Sequence, residues 1–154
     1  MSQLVDLPPE TLCIAIVDDE PRLSSLCSFV LIKNGYEVVY VGKSGEDILR
    51  AIVEHRLSKN NLNVVLLDYS LGLGIDGLEI ALRIKENIRT AKIIIVTADT
   101  SVKSKVLASG FSFIEKPFCL EEFFKMLKEG EKGNLSPEIM GIPMKLSSAA
   151  NELQ

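Results

Sequence analysis

Five short apolar runs, at residues 12–17, 36–41, 63–67, 92–97 and 111–114, set the pattern of this sequence. Each is too short for a buried helix and too continuously apolar for a sheet with one wet face, so they read as strands of a parallel sheet buried on both faces. Amphipathic segments at 21–34, 44–55, 77–87, 101–109 and 120–129 alternate with them and supply the crossover helices. Gly35 and Gly110 stand where the first and fourth of these helices need a left-handed C-terminal cap. Right-handed crossovers then give an α/β doubly wound sheet with helices on both faces. Such a sheet binds its ligands beyond the carboxyl ends of its strands.

Length and composition fit one globular domain: 154 residues, 47% hydrophobic and 25% charged. A net charge of −4 with no basic stripe argues against direct nucleic-acid binding. The single His55 leaves no His-rich metal site, and Cys13, Cys27 and Cys119 are odd in number and far apart, which fits neither zinc nor a disulfide framework. A reduced, cytoplasmic setting is expected, with Cys13 and Cys27 as small core residues. No stretch approaches the ~18 apolar residues of a membrane span, and the start has no leader pattern, so no membrane association is expected. Residues 1–10, with Pro8 and Pro9, read as a lead-in, 11–129 as the domain, and 130–154, rich in Gly, Ser and Pro, as a tail.

The strand ends carry the chemistry. Run one ends in Asp18-Asp19-Glu20, run three in Asp68, run four in Thr97, and run five leads into Lys116-Pro117. Carboxylates from Asp18, Asp19 and Asp68 on one sheet edge would repel one another unless a cation sat among them, and an all-oxygen set suits a hard ion such as Mg²⁺. A carboxylate beside Mg²⁺ can attack phosphorus. Lys116 would supply fixed positive charge to a phosphoryl oxygen, and Thr97 a hydroxyl. Glu20 is expected in the first turn of the first helix, where negative charge is favoured. Taken singly, an Asp after a strand is usually a cap, a Thr in a strand reflects β propensity, and a Lys is usually solvated. The coincidence at four strand ends is what points to a site.

Residues 11–129 closely resemble the receiver domain of two-component response regulators, on the motifs IVDDE, VVLLDYSL, IIIVTA and FIEKPF, which match in content, order and spacing. The resemblance implies a flavodoxin-like sheet of order 2-1-3-4-5 with five helices, and phosphorylation of Asp68. It further implies Mg²⁺ (or Mn²⁺) held directly by Asp19, Asp68 and the backbone carbonyl of Ser70, with Asp18 acting through water. Thr97 and Lys116 would contact the phosphoryl group, and Lys116-Pro117 would be cis. Thr97 and Phe113 would form the switch, Phe113 lacking the hydroxyl a tyrosine would offer. Ser70 and Asp99 occupy positions that tune the lifetime of the phosphoryl group. The loop YSLGLGI before Asp76-Gly77 departs from the family, having two glycines, no proline and one extra residue, and implies a looser wall; Cys119 stands where a capping Asp or Ser is usual.

The implied partners are a histidine kinase or histidine phosphotransfer protein and a downstream effector, with a phosphorylation-dependent homodimer among the family's outputs. No effector domain follows in this sequence, so output is expected through a partner at the face of helix four, strand five and helix five, with Lys103, Lys105, Phe124 and Lys128 exposed. Catalysis is expected to stop at self-phosphorylation from a donor and slow self-dephosphorylation. Competing readings are a phosphorelay intermediate, a degenerate non-phosphorylated binding module, and a phosphohydrolase with Asp18 as nucleophile. The last lacks the Asp-x-Asp it would need after the first run, and the degenerate module would usually have lost one of the acidic or lysine positions.

Overall fold

In the computed structural model the described residues are 11–71, 76–118 and 120–129. The chain alternates β1 (Cys13–Val17), α1 (Pro21–Lys33), β2 (Glu37–Gly42), α2 (Gly45–Val53), β3 (Val64–Asp68), α3 (Gly77–Asn87), β4 (Lys92–Thr97), α4 (Lys103–Ala108), β5 (Ser112–Glu115) and α5 (Leu120–Glu129). The strands form one parallel sheet in the order β2-β1-β3-β4-β5. Both the five β–α units and the strand order agree with the reading from sequence. The lead-in, the tail, Cys119 and most of the glycine-bearing loop after Asp68 lie outside the described residues.

Alternation along each strand splits the core in two. Ala15, Val17, Val65, Leu67, Ile93, Ile95 and Phe113 face one side, where Ile48 and Ala51 of α2, Ile80 and Ile84 of α3, and Val106 of α4 cover them. Ile14, Ile16, Val64, Leu66, Ile94, Val96 and Ile114 face the other, covered by Leu26, Cys27 and Leu31 of α1 and by Phe123, Phe124 and Leu127 of α5. β3 is buried along its whole length, Asp68 included. β2 is the edge beside β1, and a register shift between Ile14 and Ala15 accompanies its wetter surface.

Helix ends follow side-chain chemistry. Ser44 accepts the Asp47 amide, and Asp76 accepts the Glu79 amide at 2.9 Å, each capping its helix. Gly35 and Gly110 have φ of 90° and 89°, the left-handed caps expected of them. Other boundaries moved. α2 stops at Val53, and His55 takes φ 60° while Arg56 and Leu57 donate back to the Ala51 carbonyl, which tucks Leu57 into the core. The fourth helix begins as a 3-10 turn at Thr100–Val102, with Asp99 accepting the Ser101 amide, so only six residues remain α-helical.

Three local expectations are corrected. Glu20 is the N-cap of α1, one position before its first turn, because Pro21 takes the first helical place. Cys13 is half-buried at the start of β1, with its thiol 3.6 Å from the Glu37 carboxylate on the edge strand. Phe124 and Lys128 are buried, at 3% and 9% exposure, because they share the inward stripe of α5 with Phe123 and Leu127; Phe124 stacks on Tyr36 at 5.7 Å.

α3 is set against the end of β3 by a glycine. The Gly77 amide donates to the Tyr69 carbonyl at 2.9 Å, and a Cβ on Gly77 would lie 2.5 Å from Tyr69 Cα and 2.9 Å from the Asp68 carbonyl oxygen. These are backbone atoms and cannot swing aside. Gly77→Ala is therefore expected to lower stability by about 1–3 kcal/mol in urea denaturation, the usual scale of overpacking; an unchanged midpoint would contradict the close approach.

Candidate functional site

All four strand-end groups arrive at one corner of the sheet. Asp18 and Asp19 follow β1, Asp68 closes β3, Thr97 closes β4, and Lys116 follows β5. The corner is pinned by backbone: the Lys116 amide donates to the Thr97 carbonyl at 2.9 Å, and the Tyr69 amide to the Val96 carbonyl at 3.0 Å. The Lys116-Pro117 peptide is cis. Side chains 98 and 48 residues apart then meet, with Lys116 Nζ 3.1 Å from Asp18 Oδ2 and 3.2 Å from Asp68 Oδ2.

Asp68 is 6% exposed. Its other oxygen, Oδ1, accepts the Ser70 amide at 3.0 Å. Burial, assisted by the charge of Asp18, raises its pKa above the ordinary carboxyl value, although Lys116 and the Ser70 amide pull the other way. For Lys116, burial works against the ammonium, but the Asp68 and Asp18 carboxylates together outweigh it and hold its pKa above the usual lysine value. Asp18 Oδ1 also accepts the Glu20 amide at 2.8 Å, which ties the start of α1 to the corner.

Asp18, Asp19 and Asp68 can each present one carboxylate oxygen with all three within 4.8 Å of one another. An all-oxygen, all-anionic set of that spread fits a hard divalent cation such as Mg²⁺. Ser70, expected to contribute its carbonyl, is exposed and immediately beyond the Asp68 turn. Thr97 is 3% exposed, and its Oγ1 accepts the Asp99 amide at 3.1 Å. Asp99 itself is exposed, its carboxyl held below the usual range by the Ser101 hydroxyl and then the Ser101 amide. Phe113 is buried in the core, with Lys103 Nζ 5.9 Å from its ring centroid.

Two features were not anticipated from sequence. Lys116 bridges Asp18 as well as Asp68, a contact no spacing announces. Tyr69, directly after Asp68, packs on the core and lies under Lys105 Nζ, 5.6 Å from its ring. An aromatic beside a functional Asp was the available signal.

A buried carboxylate, an acidic pair, a Thr and a Lys at the carboxyl edge of a 2-1-3-4-5 sheet define a receiver-type α/β domain. The chain belongs to the response regulator receiver domain family, whose model matches residues 14–128. It is 33% identical over 118 residues to the transcriptional regulatory protein TrcR of Mycobacterium tuberculosis, covering 75% of this chain and 43% of that protein's length. The response regulator TrrA from Thermotoga maritima, solved in complex with Mg²⁺–BeF, is 30% identical over 77% of this chain and 98% of its own, with a TM-score of 0.66. CheY in the CheX–CheY–BeF₃–Mg complex from Borrelia burgdorferi, at 20% identity, shares the fold over 77% of this chain and 88% of its own, with a TM-score of 0.68. Among the described residues no helix is long and apolar enough to cross a membrane.

The raised pKa of Asp68 has a stability consequence. The folded state holds a proton there more tightly than the unfolded chain does, so the contribution to stability is fully present below the ordinary value of 3.8 and is lost as pH climbs through the raised value. In metal-free buffer at neutral pH, Asp68→Asn is expected to be more stable than wild type by on the order of 1 kcal/mol, the scale of relieving one poorly compensated buried group. The advantage should shrink as pH falls toward 3.8. Urea titrations at several pH values check this, and a loss of stability at neutral pH would show that Lys116 compensates Asp68 fully.

Proposed function

We propose that Asp68 accepts a phosphoryl group from a phosphohistidine donor, and that acceptance changes the surface formed by α4, β5 and α5. The observation that carries this reading is the placement of Asp68 at the end of β3, 3.2 Å from Lys116 and within one cation's reach of Asp18 and Asp19. An Asp68 oxygen attacks phosphorus and forms the O–P bond as the donor's N–P bond breaks, its electron pair leaving with the imidazole. Mg²⁺, when bound by Asp19, Asp68 and the Ser70 carbonyl with help from Asp18, would lessen the repulsion between the two anions. The Mg²⁺–BeF complex of the Thermotoga relative supports that assignment.

Lys116 sits between two carboxylates and can turn its ammonium to an incoming phosphoryl oxygen without crossing the site. The Thr97 hydroxyl already accepts a hydrogen bond from Asp99, so its own proton is free for a phosphoryl oxygen. Thr97 and Phe113 are then the pair whose packing responds, since the Thr97 carbonyl is tied to Lys116 and its strand position pairs with Glu115, two residues beyond Phe113. On this face α4 exposes Lys103, Lys105 and Leu107, and these, rather than Phe124 and Lys128, are the contacts offered to a partner.

The partners on this reading are a histidine kinase or phosphotransfer protein and a downstream effector, within the cytoplasm. The chain's own catalysis ends with one phosphoryl group taken up and slowly hydrolysed.

Incubation with a small-molecule phosphodonor, followed by intact mass, tests the chemistry. Wild type should gain one phosphoryl group only with Mg²⁺ present, Asp68→Asn should gain none, and Lys116→Met should react slower by about 10²–10³-fold, the usual loss of one charge-stabilising group. No gain by folded wild type, or an equal gain by Asp68→Asn, would refute it.

A further inference from the structure

By the ordinary measures of helix docking, α4 should sit loosely on the sheet. It is six residues long, buries one side chain, Val106, and leaves Leu107 exposed. Its N-cap, Val102, makes no side-chain capping bond, and its first turn has no acidic residue. Lys103 stands in the first helical position, where the helix dipole disfavours positive charge.

Both lysines of α4 nevertheless turn back onto aromatic rings. Lys103 Nζ lies 5.9 Å from the ring centroid of Phe113 on β5, and Lys105 Nζ lies 5.6 Å from that of Tyr69, directly after β3. An ammonium at about 6 Å or less from a ring centroid is attracted by the ring quadrupole. The strands carrying these rings flank β4, so the two contacts fall on either side of the strand from which α4 springs.

The rings are fixed points. Phe113 is buried, and Tyr69 packs on the same core face, its amide bonded to the Val96 carbonyl and its carbonyl to the Gly77 amide. Lys105 is also drawn by the Tyr69 hydroxyl and by the carboxylates of Asp76 and Asp99, on the loops before α3 and α4. The ammonium groups are therefore held while the helix between them has little apolar grip of its own.

We infer that Lys103 and Lys105 form a two-point clamp that sets the resting position of α4, and with it the surface offered to a partner. One point is the neighbour of Asp68 and the other is Phe113, so a change at either frees one end of the clamp. Both lysines are exposed, and a partner docking on this face meets the clamp directly. Its use in signalling rests on the phosphoryl acceptance proposed above. The clamp itself does not, and it is tested on unmodified full-length protein without Mg²⁺.

The amides of Ser109, Gly110 and Phe111 donate to the carbonyls of Lys105, Leu107 and Val106, so their native-state hydrogen exchange reads the opening of α4. Lys105→Met keeps the apolar stem and removes the charge; it should speed exchange at these amides about two- to fivefold, the worth of one exposed cation–π contact. Lys105→Arg should leave them as in wild type. The Ile88 amide, bonded to Ile84 at the end of α3, should not respond to either substitution. Tyr69→Leu should speed the α4 amides, and adding Lys105→Met to it should change nothing more. Lys103→Met with Phe113→Leu is the second cycle if Tyr69→Leu does not fold. Unchanged exchange in both lysine-to-methionine variants, equal exchange in Lys105→Met and Lys105→Arg, or additive effects in a folded cycle would overturn the clamp.

Discussion

Lys116 is what offsets the cost of burying Asp68 at 6% exposure beside Asp18. At 3.2 Å and an effective dielectric near 20, the attraction of one carboxylate for the ammonium is on the order of 5 kcal/mol, while desolvation costs several kcal/mol for each ion. The terms nearly cancel. The raised Asp68 pKa shows which way the balance tips without a metal: burial and Asp18 together exceed what Lys116 and the Ser70 amide return. A corner left slightly too negative is one that a cation can relieve. The frustration is local because the rest of the sheet is apolar on both faces and cannot move to dissipate it.

That corner exists because the strands are parallel. Each must end at the same edge, so a polar residue closing an apolar run is delivered there whatever lies between in sequence. This is why the fold and most of the site were legible: the runs fixed the layering, and Asp18, Asp19, Asp68, Thr97 and Lys116 needed only to be terminal residues to meet. What stayed hidden depends on reach rather than periodicity. Lys116 spans two carboxylates because a lysine stem crosses the mouth of the sheet, and no repeat in the sequence encodes that distance.

The misread details share a physical origin. The family resemblance places Lys128 and Phe124 on an exposed face, but α5 has its inward stripe at Phe123, Phe124, Leu127 and Lys128, and the aliphatic stem of lysine tolerates burial there. The fourth helix looked like one periodic segment from 101 to 109. Its first turn is instead set by Asp99, whose side chain accepts from both the amide and the hydroxyl of Ser101 and tightens the start. In each case a specific side chain overrode the average pattern.

The same reasoning links α1 to the acidic corner. The helix starts two residues after Asp19, and a hydrogen bond from the Glu20 amide to Asp18 fixes its entry, so the first turns of α1 cannot drift toward the sheet to fill space left by small residues. Pro21 further stiffens that entry. A serine and a cysteine at facing positions therefore leave a void instead of a collapsed interface, since collapse would drag Asp18 away from Lys116. The electrostatic corner and the apolar cleft beside it are two consequences of one anchored helix start.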